Sequence, residues 1–363
     1  MSRALPTEAV LYHGRQITPL PRVWVLLGYG TGGNKQLLCL ARALGWPYET
    51  KHLSYNILNY TPNSLLGASK ISVNRRRSDA LAPPWPDVVI AASRRAAPVA
   101  LWIRKQSGGR TLLVHLLHAQ LPLHHFDLVV TTPQYHLPPG PNVLQNLLPL
   151  NTPDPAEMRH AAARWAPLWE HLPRPWLAVL VGGSSSTYIF SRDVAARLGR
   201  EASRAAQEAG GSLLVTTSPR TRPAVADALL QSIDCPSYVY RWTPGSEDNP
   251  YLAYLALADR FIVTADSASL LAEACTTGKP VHVFDWVQRW SPEGPIFRWL
   301  PIVRNVWKMC IDRGLVKPHR DFRALHRMLK ESGTLDSQLH VITGELERTV
   351  DRIRQCMAKK AAL

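Results

Sequence analysis

The sequence FIVTADSASLLAEACTTGKPVHVF, residues 261–284, determines the expected fold of this chain. Its apolar runs at 261–264 and 281–284 predict two buried strands, and residues 268–276 predict a helix between them that ends before Gly278. A strand, a helix and another strand in this order are typical of the βαβ unit of a parallel sheet. This stretch therefore indicates an α/β protein.

The same alternation of apolar runs and helical patterns extends upstream. It predicts strands at 177–181 and 213–216 with helices at 193–209 and 223–233, and an earlier series of strands at 23–27, 48–53, 88–91, 111–115 and 128–131 with helices at 35–44 and 96–105. After Trp286 only helices are expected, at 297–313 and 338–359. We therefore expect two Rossmann-like lobes whose parallel sheets face a cleft, followed by a helical tail. The expected divisions are an N-terminal lobe at 1–150, a linker helix at 151–175, a C-terminal lobe at 176–290 and the tail at 291–363.

The chain is strongly basic. Its 42 Lys and Arg against 27 Asp and Glu give a formal net charge of +15, which favours anionic partners. No nucleic-acid-binding motif accompanies this charge, so no specific nucleic-acid binding is expected. The densest basic run, residues 74–77, has two interpretations: a solvated arginine-rich loop, or a surface that faces anionic membrane lipid.

The distribution of apolar residues and cysteines predicts a cytoplasmic protein, at most peripheral to a membrane. The longest apolar stretch, 88–103, is interrupted by Arg94 and Arg95 and is shorter than the about 20 residues that span a bilayer. The N-terminal residues lack the apolar core of a secretory signal. The 5 cysteines form no CxxC pair, and the cluster of His115, His118, His124 and His125 lacks the spacing of a zinc site, so no metal is expected.

Three polar loops follow strands of the second lobe, and their side chains are candidates for binding a nucleotide diphosphate. Ligands of open α/β sheets bind at the carboxyl ends of the strands, where small residues allow phosphate to approach the backbone and an arginine neutralises it. The helix at 268–276 offers free N–H groups to phosphate, although the same N–H groups can donate to ordinary capping side chains instead. The candidates are Gly182, Gly183, Ser184, Thr217, Ser218, Arg220, Asp266, Ser267, Ser269 and Glu273.

In the first lobe, GYGTGGN at 28–34 follows a predicted strand and precedes a helix. It matches the glycine fingerprint of a dinucleotide site, for which Glu49 would be the acidic residue, but Glu49 stands at the start of its strand instead of the end. The other interpretations are an anion or substrate platform and a tight turn without a ligand. Arg94 and Arg95, which follow the predicted strand at 88–91, either bind an anionic acceptor or belong to an ordinary exposed surface. The candidates here are Gly30, Gly32, Gly33, Asn34, Gln36, Ser93, Arg94 and Arg95.

Several of these pieces together resemble the mitochondrial fission ELM ("elongated mitochondria") family, which has many bacterial members. The resemblance covers most of residues 22–286, and its most specific block is 263–284. The matching pieces are GNKQLL (33–38), PDVVIAASRR (86–95), FDLVV (126–130), VGG (181–183), GSLLVTTS (211–218) and NPY (249–251). The first loop departs from the family, which usually carries an Asp-Lys pair and a Gly-His where Tyr29, Gly30 and Gly32-Gly33 stand here.

This resemblance implies a metal-independent glycosyltransferase with two Rossmann-like lobes (GT-B-like). Ser267 and Ser269 would then lie at the phosphates of a nucleotide-diphosphate sugar and Glu273 at its ribose. The N-terminal lobe would hold the acceptor, which the basic charge suggests is anionic or lipid-linked, and no cofactor would be tightly bound. The family name comes from organelle division in plants and implies the alternative of a non-catalytic adaptor at a membrane surface. Neither the donor, the acceptor, the general base nor the oligomeric state follows from the sequence.

Overall fold

The computed structural model describes residues 11–12, 15–16, 20–185, 187–246, 248–286, 309, 320–333 and 340–362. It confirms the predicted architecture of two parallel α/β lobes with a helical C-terminal region. A short antiparallel ribbon of β1 (Leu11–Tyr12) and β2 (Arg15–Gln16) precedes the first lobe. The predicted helix at 297–313 falls outside the described residues, apart from position 309.

The first lobe is built on a six-stranded parallel sheet in the order β4-β3-β5-β6-β7-β8. Its helices are α1 (Thr31–Leu44), α2 (Asn63–Leu66) and α3 (Ser93–Gln106). α1 packs on one face of the sheet and α3 on the other, which explains the uninterrupted apolar runs of the central strands. The strands are β3 (Val23–Leu27), β4 (Tyr48–His52), β5 (Val88–Ala92), β6 (Leu112–Leu116), β7 (Leu128–Thr131) and β8 (Val143–Gln145).

The second lobe has a five-stranded parallel sheet in the order β11-β10-β9-β12-β13. Its strands are β9 (Trp176–Leu180), β10 (Ser212–Thr216), β11 (Ser237–Tyr240), β12 (Arg260–Thr264) and β13 (Val281–Phe284). Its helices are α5 (Arg192–Glu208), α6 (Pro223–Leu230), α7 (Tyr251–Leu257) and α8 (Ala268–Cys275). The sequence patterns did not predict the short strands β8 and β11.

Each sheet has a point at which the order of its strands reverses. In the first lobe β3 lies between β4 and β5, and in the second β9 lies between β10 and β12. Adjacent connections there leave opposite faces of the sheet, so a crevice opens at the carboxyl ends of the two central strands. These two crevices position the candidate site residues.

The linker helix and the C-terminal helices join the two lobes. α4 (Pro155–Trp169) begins at its N-cap Asp154 and packs against α7, and its buried Trp165 and Trp169 belong to the core of the second lobe. α9 (Phe322–Glu331) completes that same core, whereas α10 (His340–Ala361) returns to the first lobe and buries Val350 and Ile353 against its sheet. The C-terminal helices are thus divided between the lobes.

Two helices of the first lobe start earlier than the sequence predicts. α1 begins at Thr31 instead of residue 35, and α3 begins at Ser93 instead of residue 96. Gly32 and Gly33 therefore lie in the first turn of α1, and Arg94 and Arg95 in the first turn of α3, instead of in loops. These helix starts are concealed in the sequence because the N-caps Gly30 and Ala92 have no side chain that accepts a capping hydrogen bond.

Candidate functional site

A cavity of ≈ 730 Å³ lies between the lobes. The second lobe lines it with the loops that follow β9, β10 and β12, together with the start of α8. The first lobe contributes the start of α1, including Gly30, Gly32, Gly33 and Gln36. The carboxyl ends of the second sheet and a helix start of the first lobe therefore face the same space.

Glu273, in the second turn of α8, makes the principal contact between the lobes within this cavity. Its side chain is only 5% exposed, and Oε1 lies 2.9 Å from the Nζ of Lys35 on α1. Tyr251 donates its hydroxyl hydrogen to Oε2, and burial together with the Glu273 charge raises the tyrosine pKa well above its ordinary value. A carboxylate offers about four acceptor positions. Lys35 and Tyr251 occupy two of them and fix the orientation of the group.

Asp266 lies behind the cavity surface and holds an arginine. Its side chain is fully buried, and its Oδ2 lies 2.6 Å from Nη1 of Arg220 and accepts a hydrogen bond of 3.0 Å from the Gly183 N–H. Burial raises the pKa of this carboxyl, and the charge of Arg220 opposes the shift. Oδ1 has no hydrogen-bond partner among the described residues. The Arg220 side chain is 40% exposed, so Asp266 presents a guanidinium to the cavity.

The two glycines after β9 are required by close packing beneath this pair. A Cβ on Gly182 would overlap the carboxylate of Asp266, and one on Gly183 would overlap the backbone carbonyl of Arg220. Neither glycine is among the residues that line the cavity. In this structure they allow the strand end to approach Asp266 and Arg220.

Most hydroxyl groups that the sequence nominated for phosphate already have partners in the protein. Ser267 caps α8 by accepting from Leu270 N–H at 3.4 Å, and Ser184 accepts from Phe190 N–H at 3.1 Å. The hydroxyl of Thr217 accepts from Trp242 N–H at 2.9 Å, and Ser218 donates to the carbonyl of Gly182. Ser269 faces the first lobe, since a Cβ on Gly32 would lie 3.0 Å from its Oγ. The candidates that line the cavity are Thr217, Ser218, Arg220, Asp266, Ser267, Ser269 and Glu273.

The candidates in the first lobe either hold the start of α1 and its glycine loop in shape or line a second cavity. The Asn34 side chain closes the glycine loop by accepting from Gly28 N–H at 3.0 Å and donating to the Gly28 carbonyl at 2.7 Å. Gln36 donates to the Gly32 carbonyl at 3.2 Å. Gly30, Gly33, Asn34, Ser93, Arg94 and Arg95 line a second cavity in the first lobe, next to the cleft.

Sequence reasoning did not select several lining residues of the cleft. These are Lys35, Gln134, Tyr135, Trp242, Tyr251 and Arg320. Lys35 and Tyr251 stand inside the GNKQLL and NPY pieces, but those pieces alone did not indicate that the two side chains meet on Glu273. No motif in the sequence indicated Tyr135 or Arg320. Arg320 reaches the cleft because it stands at the start of α9.

Together, the two parallel-sheet lobes and the cleft between them define a GT-B-like protein. Among solved structures, a glycosyltransferase from Rickettsia africae is 11% identical, with a TM-score of 0.43 over 93% of this chain and 99% of the other. A putative UDP-N-acetylglucosamine 2-epimerase from Listeria monocytogenes is 10% identical, with a TM-score of 0.46 over 87% of this chain and 96% of the other.

The chain belongs to the family described as "Mitochondrial fission ELM1", whose model matches residues 31–292. The mitochondrial fission protein ELM1 of Arabidopsis thaliana is 31% identical over 220 residues, which cover 54% of this chain and 51% of that protein. The match thus spans about half the length of the plant relative. An uncharacterised protein of Rickettsia prowazekii (strain Madrid E) is 27% identical over 295 residues, 72% of this chain and 82% of its own. The resemblance predicted from the motifs is confirmed.

Within the described residues, the helices are too short or too polar to cross a bilayer, and no group of three or more His, Cys, Asp or Glu side chains is placed to hold a metal ion.

Proposed function

We propose that this protein is a glycosyltransferase that binds a nucleotide-diphosphate sugar in the cleft and transfers the sugar to an anionic or lipid-linked acceptor on the side of the first lobe. The observation that carries the proposal is the arrangement of Glu273. It is a buried carboxylate that lines the cavity and is held by Lys35 and Tyr251, which leaves about two of its four acceptor positions without a partner among the described residues.

A ribose fits this carboxylate chemically. Its two neighbouring hydroxyls are donors, and hydrogen bonds to an ionised acceptor are stronger than those between neutral groups. The amine of Lys35 lies over the Tyr251 ring, 5.7 Å from the centroid, so the three side chains contact one another. Because Glu273 is already held by two partners, less side-chain freedom is lost when a nucleoside binds to it.

The diphosphate would lie at the start of α8 beside Arg220. Ser267 caps only the Leu270 N–H, so the first two N–H groups of the helix remain without a side-chain partner. These groups, the positive end of the helix and the exposed guanidinium of Arg220 all favour the negative charge that builds up when the sugar leaves. In that step the oxygen of an acceptor hydroxyl bonds to the anomeric carbon and loses its proton to solvent water, while the bond from this carbon to the diphosphate oxygen breaks and its electron pair leaves with the diphosphate.

Calorimetry with the nucleoside diphosphates UDP, GDP and CDP tests the proposal. We expect at least one of them to bind, with an affinity that Glu273→Gln weakens and Glu208→Gln, at an exposed position on α5, leaves unchanged. Product analysis with the matching nucleotide sugar then tests transfer. Failure of all three nucleotides to bind would contradict the proposal.

A second candidate function, an adaptor at a membrane surface, is favoured by one exposed segment. Ile57, Tyr60, Leu65 and Ile71 are 59–78% exposed, and Asn56 links both ends of the segment by donating to the Ile71 carbonyl at 2.8 Å. The exposed arginines 75–77 follow directly. Apolar side chains next to basic ones suit an anionic lipid surface. Cosedimentation with phosphatidylserine vesicles tests this candidate, and binding that survives Ile57→Ser with Leu65→Ser would argue against it.

A further inference from the structure

The first lobe contains its own cavity, of ≈ 590 Å³, at the strand-reversal point between β3 and β5. The starts of α1 and α3 form its base, Tyr60 and Pro62 border it from the segment after β4, and Tyr135 and Arg320 stand on the side of the cleft. Tyr135, Arg320, Gly30 and Gly33 also line the cleft cavity, so the two spaces adjoin.

The lining of this first-lobe cavity is cationic and carries no opposing charge. It contains Arg94, Arg95 and Arg320, and none of its described lining residues is an aspartate or glutamate. Within the described part of the chain, no carboxylate lies within ion-pairing distance of the three arginines, whereas Arg174 is paired with Asp259 elsewhere on the surface.

The arginines have different tasks. Arg94 donates to the backbone carbonyls of Thr61, at 3.0 Å, and Asn59, and so holds the segment that borders the cavity. Arg95 and Arg320 instead lie over tyrosine rings, Arg95 at 5.9 Å from the Tyr29 centroid and Arg320 at 5.7 Å from that of Tyr135. Neither guanidinium donates a hydrogen bond to a described residue, so the N–H groups of Arg95 and Arg320 are available to a ligand.

The starts of α1 and α3 add N–H donors, which carry a partial positive charge as the arginines carry a full one. The N-caps Gly30 and Ala92 provide no side-chain cap, and the first turns of α1 and α3 contain no acidic residue. The first-turn N–H groups of α1 and α3 therefore converge with Arg95 on one space.

We propose that the first-lobe cavity binds a phosphate group, as a phosphomonoester or a diphosphate. Several donors approach from separate elements and two guanidiniums lack carboxylate partners, which matches the charge and the many oxygens of phosphate better than a single carboxylate does. Leu26, Leu37 and Leu117 provide an apolar wall for the rest of the ligand. That the ligand is the acceptor rests on the proposed function; the anion site itself does not.

Hydrogen exchange of the full chain with inorganic pyrophosphate tests the site. Residues 93–95, at the start of α3, line only the first-lobe cavity, and their amides exchange fast without a ligand because they lack helical acceptors. We expect pyrophosphate to protect them, and Arg95→Gln and Arg320→Gln each to weaken binding by roughly tenfold or more. Arg200→Gln, at an exposed position on α5, is the charge-matched control and should bind as the unmodified protein does.

The outcomes separate this site from the cleft. Absence of protection at 93–95, or equal protection in the Arg95→Gln, Arg320→Gln and unmodified proteins, would overturn the phosphate site even if nucleotides bind. If pyrophosphate protects these amides in a manner that depends on Arg95, but no nucleotide binds to the protein, the phosphate site is supported. Only its interpretation as an acceptor site is then removed. Glucose 1-phosphate and geranyl diphosphate, compared in the same assay, distinguish a soluble phosphorylated sugar from a lipid diphosphate as the source of the phosphate.

Discussion

Replacing Glu273 by glutamine separates nucleotide recognition from stability. The substitution keeps the shape of the side chain but removes its charge, and the new amide N–H₂ faces groups that are themselves donors. Hydrogen bonds to a charged group contribute about 1.5–3 kcal/mol, so the affinity for a nucleotide should fall about 10- to 150-fold. The lost ion pair costs little stability, about 1 kcal/mol or less, because the Lys35 side chain is 59% exposed.

The assay is calorimetric titration of the nucleotide that binds best, together with thermal unfolding of each variant. Lys35→Met is the matched control variant, since it removes the ion pair and leaves the carboxylate that would accept from ribose in place. We expect its nucleotide affinity to stay within about threefold of the unmodified protein, a change of less than 1 kcal/mol. Equal affinity of the unmodified and Glu273→Gln proteins would refute the reasoning. A loss in Lys35→Met as large as in Glu273→Gln would show that Glu273 acts by joining the lobes.

Three further substitutions test the packing that supports the site. Gly182→Ala should destabilise the protein by about 1–3 kcal/mol in urea unfolding, because its Cβ would overlap the Asp266 carboxylate. The hydrogen bond from His136 lowers the Asp321 pKa. This carboxylate therefore stabilises the fold above its unfolded pKa of about 3.8 and loses that effect as the pH falls. The difference in unfolding free energy between the unmodified protein and Asp321→Asn should accordingly shrink from pH 7 to pH 3. Ile353→Ala should cost about 2–5 kcal/mol in the same urea assay, since the side chain is fully buried against the first sheet.

The local parts of the fold were predictable because their signals lie within short stretches of sequence. The strand, polar loop and helix at 261–276 appear as β12 and α8, with Ser267 as the cap. Weakly patterned elements were missed for a physical reason. β11 is only partly buried, so its sequence SYVY lacks the continuous apolar run of a central strand.

The candidate site was predictable only as a location. The sequence identified the strand ends and α8, since such positions bind ligands in many α/β folds. It did not indicate that Lys35 and Tyr251 meet on Glu273, because the lysine and the glutamate are 238 residues apart in the chain. Nor did it indicate that Asp266 faces Arg220, because the distance between two loop side chains depends on how their strands are ordered in the sheet.

The return of α10 to the first lobe means that this lobe is built from two separate segments of the chain. Among the described elements, the chain leaves the first lobe after β8, forms the second lobe from α4 to α9, and returns to the first lobe with α10. A fragment that stopped near residue 150 would leave the strip covered by Val350 and Ile353 open to water, so an isolated first lobe should be built by fusing residues 340–361 behind it. The Lys35–Glu273 ion pair is then a contact between the lobes at the cleft that such a fused first lobe would lose, so its Lys35 side chain should be free to bind added anions.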